Sequence, residues 1–174
     1  MLLLAQLEAA KSSSALARLA EPWNSLYSDS KVVSSAVIFF HLVPLLLAGG
    51  AALAADRATL RAVRGSTEDR ARQLVDLSRT HRVVLGGLAL SFASGVLLFL
   101  SDVDTFLESP FFWIKLGLVG LLLVNGFLMT RTEQALNGRG EDGALWARMK
   151  TISMVSLVLW LATTLAGVVL QTFA

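Results

Sequence analysis

Two histidines and one lysine are the residues of this chain best placed to do chemistry, because each falls in or beside a long apolar stretch. His41 and Lys115 lie inside such stretches, and His81 stands at the edge of another. An ionisable side chain inside a membrane is costly, and where it occurs it defaults to a ligand, proton or ion site. An imidazole can ligate haem iron or another metal, accept a hydrogen bond from a quinol, or fasten helices together. Pro44 lies three residues beyond His41. Inside a helix it removes the bond to the carbonyl of Phe40 and kinks the chain, so a freed carbonyl and an imidazole become neighbours.

These groups must be positioned by helices. The 174 residues are 55% hydrophobic with a mean hydropathy of +0.64, and the apolar residues are concentrated in four runs, 32–55, 83–100, 111–129 and 152–173. About 20 residues at 1.5 Å rise cross a hydrocarbon layer of roughly 30 Å, and a helix satisfies its own backbone in lipid. The expected fold is therefore all-α: an integral membrane bundle of four transmembrane helices over residues 32–174, preceded by an N-terminal arm over residues 1–31. A soluble bundle is disfavoured because the runs lack amphipathic periodicity. In the arm, Leu2, Leu3, Leu4 and Leu7 begin an apolar patch that Glu8 and Lys11 interrupt. That patch is too short and lacks the basic leader of a signal peptide. It fits an interfacial helix over residues 2–20 that ends before Pro22, with Trp23 and Tyr27 at the headgroup level. The arm could equally dock on another subunit.

Charge sets the orientation. Arg57, Arg61, Arg64, Arg70, Arg72, Arg79 and Arg82 separate the first two runs, and Arg131, Arg139, Arg148 and Lys150 separate the last two. The turn over residues 101–110 has Asp102, Asp104 and Glu108 and no base. Basic short connections stay cytoplasmic, so both termini are expected on the non-cytoplasmic side of a bacterial inner membrane. Glu68, Asp69 and Asp76 interleave with the arginines, so anionic lipid headgroups account for the basic segment and no nucleic acid is expected.

Depth counting gathers a polar layer in the outer half. His41 lies nine residues from Val32, roughly 13 Å deep, and Lys115 about 7 Å in from Pro110. Ser94 and Thr164 fall within a turn or so of the same level, so four helices bring a polar group to one depth. The bland reading is that Lys115 snorkels to the headgroups while His41 bonds Ser94 or Thr164 and holds the bundle together. His81 lies roughly 20 Å from His41 in depth, which excludes a bis-histidine haem within one chain. A pairing of His81 with Met129 or Met154 stays open, although methionines more often fill gaps. With Met149, the same methionines suit Cu(I) in softness but not in spacing. The absence of cysteine excludes thiolate sites, disulfides and c-type haem attachment. No catalytic triad or phosphate loop appears, so an enzyme is not the favoured reading. For helix packing, Gly87, Ser91 and Gly95 are spaced four apart on one face, and Gly49, Gly50, Gly117, Gly120 and Gly167 offer close approach elsewhere.

Several short motifs resemble a known family. His41-Leu42-Val43-Pro44 running to Gly49-Gly50 resembles the opening histidine-containing helix of the copper-resistance protein D superfamily. Ser94-Gly95-Val96-Leu97-Leu98-Phe99 resembles its second helix. Residues 107–125, with Ser109-Pro110-Phe111-Phe112-Trp113-Ile114-Lys115-Leu116 and Asn125, resemble the helix that follows. A related group of small bacterial membrane proteins is similar through Phe99-Leu100-Ser101-Asp102 and Pro110. The resemblance covers roughly residues 35–130. It implies an architecture like that of four-helix b-type cytochromes, copper handling or haem b binding, and a functional role for His41 and Lys115. Where some relatives place a histidine, this chain has Phe127-Leu128-Met129-Thr130-Arg131. Three readings follow: an accessory subunit of a larger membrane complex, a haem- or quinone-binding redox protein using His41, and a copper-handling protein.

Overall fold

The computed structural model describes residues 15–139 and 142–173. Among them the chain is all helix: α1 (Ala15–Asp29), α2 (Lys31–Ala62), α3 (Thr67–Ser101), α4 (Val103–Glu108), α5 (Pro110–Arg139) and α6 (Gly143–Phe173). Helices α2, α3, α5 and α6 are each long and apolar enough to cross a membrane, and each contains one of the four apolar runs. They form two antiparallel hairpins, α2–α3 and α5–α6, joined chiefly where α2 packs on α6; α3 and α5 touch only sparsely. One end of the bundle carries the two arginine-rich connections, the other the acidic α3–α4–α5 connection.

The helices outrun the apolar stretches at the basic end. The segment between the first two runs is helical except for a tight turn between Ala62 and Thr67. Alanine, arginine, leucine and glutamine are strong helix formers, and the turn is built from end signals. Ser66 caps α3 by accepting from the Asp69 amide at 3.2 Å, while the Asp69 carboxylate accepts from the Ser66 amide at 3.0 Å. The Ser66 backbone and hydroxyl donors hold the Asp69 carboxyl below the usual range. Arg70 donates from Nη2 to the carbonyl of Val63 at 2.8 Å, closing the end of α2 with a cation. Asp142 likewise accepts from the Ala144 amide at 2.9 Å at the start of α6.

The N-terminal helix also differs from expectation. Of the arm over residues 2–20, positions 2–14 lie outside the described residues, and α1 does not stop before Pro22 but continues to Asp29. Proline withdraws one bond, to the carbonyl of Arg18, and docking offsets that loss. Trp23 donates from Nε1 to the carbonyl of Leu97 at 2.8 Å, seating α1 beside α3 at the acidic end. Leu16 and Leu19 stay exposed on the outer side of α1.

Two clusters of buried side chains hold the bundle. Leu77, Met129, Leu136, Trp146, Met149 and Ile152 pack at the basic end, mostly beyond the apolar runs. Ala48, Leu122 and Trp160 form the second, within them. Large apolar side chains such as Phe39, Leu46, Phe92 and Val158 point outward. That surface is suited to lipid, whose tails match their apolarity.

Candidate functional site

The α2–α3 contact positions His41. A Cβ at Gly87 would lie 2.8 Å from both the Ala48 Cβ and the Pro44 carbonyl oxygen, and one at Gly95 would lie 3.2 Å from His41 Cε1. The expected small-residue face therefore meets α2 directly. Gly49 gives room to the Trp160 ring in the same way, but Gly50, Gly117 and Gly120 have nothing within 4 Å of such a Cβ and make no close approach.

His41 stands with Nδ1 2.9 Å from the carbonyl oxygen of Ser91. A carbonyl only accepts, so Nδ1 carries the proton and Nε2 the lone pair. The Ser91 hydroxyl donates to the His41 carbonyl at 3.1 Å. The Ser94 hydroxyl lies 3.0 Å from the Phe40 carbonyl, the acceptor that Pro44 leaves without an amide, and 2.9 Å from the Leu90 carbonyl of its own helix. Both serines are buried. Sequence reasoning placed Ser94 beside His41; it missed Ser91 as the imidazole's partner, having read it as a packing residue. Replacing Ser94 with alanine leaves the Phe40 carbonyl without a donor. The expected loss is about 1–3 kcal/mol of stability, checked by thermal unfolding in detergent; an unchanged midpoint would show that Leu90, not Phe40, holds that hydroxyl.

Lys115 lies against α6: its Cε and Nζ are 3.7 Å from where a Gly167 Cβ would stand. Thr164 shares the depth of His41 but not its network, since its hydroxyl donates to the Trp160 carbonyl of its own helix at 2.9 Å.

A second polar group lies toward the basic end, and sequence reasoning missed it. Asp56, Thr59, Gln73, Glu133, Ser153 and Ser156 are all buried. The Gln73 amide donates to Thr59 Oγ1 at 3.0 Å and to the Ala55 carbonyl at 3.2 Å. The Ser153 and Ser156 hydroxyls flank the Asp56 carboxyl. Asn125 donates to the Ile152 carbonyl at 3.3 Å. His81 stands with Nδ1 3.0 Å from Glu133 Oε2, so its partner is a carboxylate rather than a methionine sulfur. Met129 and Met149 are packed in the core, and Met154 is exposed on the outer surface. Sequence alone carried no signal for Asp56; once the Gly49–Trp160 contact is known, the seven-residue spacings from Gly49 to Asp56 and from Ser153 to Trp160 bring Asp56 and Ser153 to one level.

Among the described residues no three His, Asp or Glu side chains converge as a metal site. No family model matches this sequence, and no curated protein or solved structure matches it either.

Proposed function

We propose that this chain is an accessory subunit of a larger membrane complex in a bacterial inner membrane, without chemistry of its own at His41. In this reading the basic end faces the cytoplasm, as basic short connections do, and both termini lie on the opposite side. One observation carries the proposal. In the acidic half His41, Ser91 and Ser94 close α2 on α3, with His41 Nδ1 on the Ser91 carbonyl, the Ser91 hydroxyl on the His41 carbonyl and the Ser94 hydroxyl within reach of the Phe40 carbonyl. Side chains so engaged serve first as fasteners, and a subunit whose polar groups fasten its own helices supplies a scaffold to its partners.

A second reading has its own observation. A ligating histidine commonly gives its other ring N–H to a carbonyl, and the Nδ1–Ser91 bond leaves Nε2 as a lone-pair nitrogen. His41 would supply one ligand if haem b were bound, and His81, which faces Glu133, would not supply a second. A second ligand would have to come from another chain. A quinol hydroxyl could also donate to Nε2. The copper-handling reading rests on the family resemblance alone.

Crosslinking in native membranes followed by purification in mild detergent tests the first reading. Stoichiometric partner chains are expected, with a featureless visible spectrum. His41→Gln is expected to keep the partners and shift the unfolding midpoint by only a few degrees, about 1 kcal/mol for one neutral hydrogen bond. A chain that stays monomeric throughout would overturn the subunit reading. A reduced-state haem spectrum that vanishes in His41→Gln would put the second reading in its place.

A further inference from the structure

The seam between α2 and α6 joins the two hairpins, and it contains a carboxyl group with incomplete bonding. Asp56 is 1% exposed, Ser153 0% and Ser156 6%. The serines lie three apart on α6, so both hydroxyls present to one side of the carboxyl. Asp56 Oδ2 and Ser153 Oγ nevertheless reach no hydrogen-bond partner.

The neighbours do not supply the missing interaction. From α3, the Gln73 amide is bound to Ala55 and Thr59; from α5, the Asn125 amide is bound to Ile152. Among the described residues no ion pair reaches Asp56.

An isolated carboxylate removed from water costs several kcal/mol, so the site calls for positive charge. Its donors are two carboxylate oxygens and two hydroxyl oxygens, a hard set without nitrogen or sulfur. One negative charge balances one positive charge. A divalent ion would be left with excess charge, and calcium would want six to eight oxygens. We propose that Asp56, Ser153 and Ser156 bind one small monovalent cation, sodium or the proton, competing for the same carboxylate. As the ligands come from both α2 and α6, occupancy ties the two hairpins together, and binding adds to the stability of the fold by mass action.

The test is thermal unfolding of the full chain in nanodiscs, with sodium titrated against choline at constant ionic strength and at several pH values. It uses the wild type, Asp56→Asn and Ser153→Ala. Two results support the site. A midpoint that rises with sodium and is flat in Asp56→Asn identifies sodium. A midpoint indifferent to sodium, whose rise at lower pH is lost in Asp56→Asn, identifies the proton. For sodium, Ser153→Ala, with the Asp56 charge intact, should weaken apparent affinity about tenfold by removing one oxygen ligand. For the proton, losing a hydroxyl that favours the ionised carboxyl should displace the stabilising transition to higher pH. Should Asp56→Asn not fold, that displaced titration of Ser153→Ala decides the matter. The proposal is overturned if the wild type responds to neither cation, or if both variants respond as the wild type does.

Discussion

Trp146→Ala is expected to destabilise the fold by about 3–5 kcal/mol, although the residue lies outside every apolar run. Trp146 is 3% exposed and packs with Leu77, Leu136 and Met149 at the basic end. Within lipid, burying an apolar side chain gains little from solvent, because the tails are as apolar as the core. Beyond the apolar runs water competes for the same surface, so the full transfer term applies as well as the cavity left behind. The Arg70 guanidinium also lies 5.3 Å from the ring centroid, adding about 0.5–1 kcal/mol. Since Arg70 caps α2, the ring helps to hold the α2–α3 turn against α6. Phe92→Ala supplies the comparison: that side chain, in the middle of its apolar run, is 66% exposed, and the expected change is under about 0.5 kcal/mol. Denaturant titration in nanodiscs would measure both, and equal losses would refute this division between a water-driven end and a lipid-embedded middle.

The same division explains what could be read from the sequence. The four crossings were legible because hydrocarbon demands length and apolarity together, and the helix interiors satisfy both. Relations within one helix were legible too. Gly87, Ser91 and Gly95 share a face by spacing alone, and Pro44 frees the carbonyl of Phe40 wherever the helix points. Rotation between helices was not legible. Thr164 has the right depth, yet it bonds its own backbone; Gly117 and Gly120 have the right size, yet they face no neighbour. Depth follows from counting, whereas azimuth depends on which neighbour a helix chooses. Charge misled in another way. Asp56 and the arginines beyond it read as the end of a span, but strong helix formers and a capping box carry α2 and α3 well past the apolar residues. A charge that ends an apolar run need not end a helix, and one still inside the helix can turn back into the bundle. Asp56 and Glu133 both do so.

Glu133 gives the other large effect. It is 5% exposed, on α5, and its Oε2 lies 3.0 Å from His81 Nδ1 on α3, across the seam where these helices otherwise touch sparsely. His81→Leu removes the partner and leaves the carboxyl group enclosed, for an expected loss of about 3–5 kcal/mol. Glu133→Leu should cost less, because leaving an imidazole enclosed forfeits a hydrogen bond, whereas leaving a carboxylate enclosed strands a charge. Replacing both with leucine removes the desolvation cost along with the attraction, and the double variant should lie within about 1–2 kcal/mol of the wild type. The double-mutant cycle then yields a coupling of about 2 kcal/mol or more. Additive losses would mean that the two groups are adjacent without being paired, and a costlier Glu133→Leu would mean that the imidazole, not the carboxylate, is the charge this seam must neutralise. If the cycle closes as expected, the α3–α5 seam depends on a pair of opposite charges, while the α2–α6 seam contains a carboxyl group with no ion-pair partner among the described residues. That contrast is why Asp56, rather than Glu133, is the residue with room for a cation from outside.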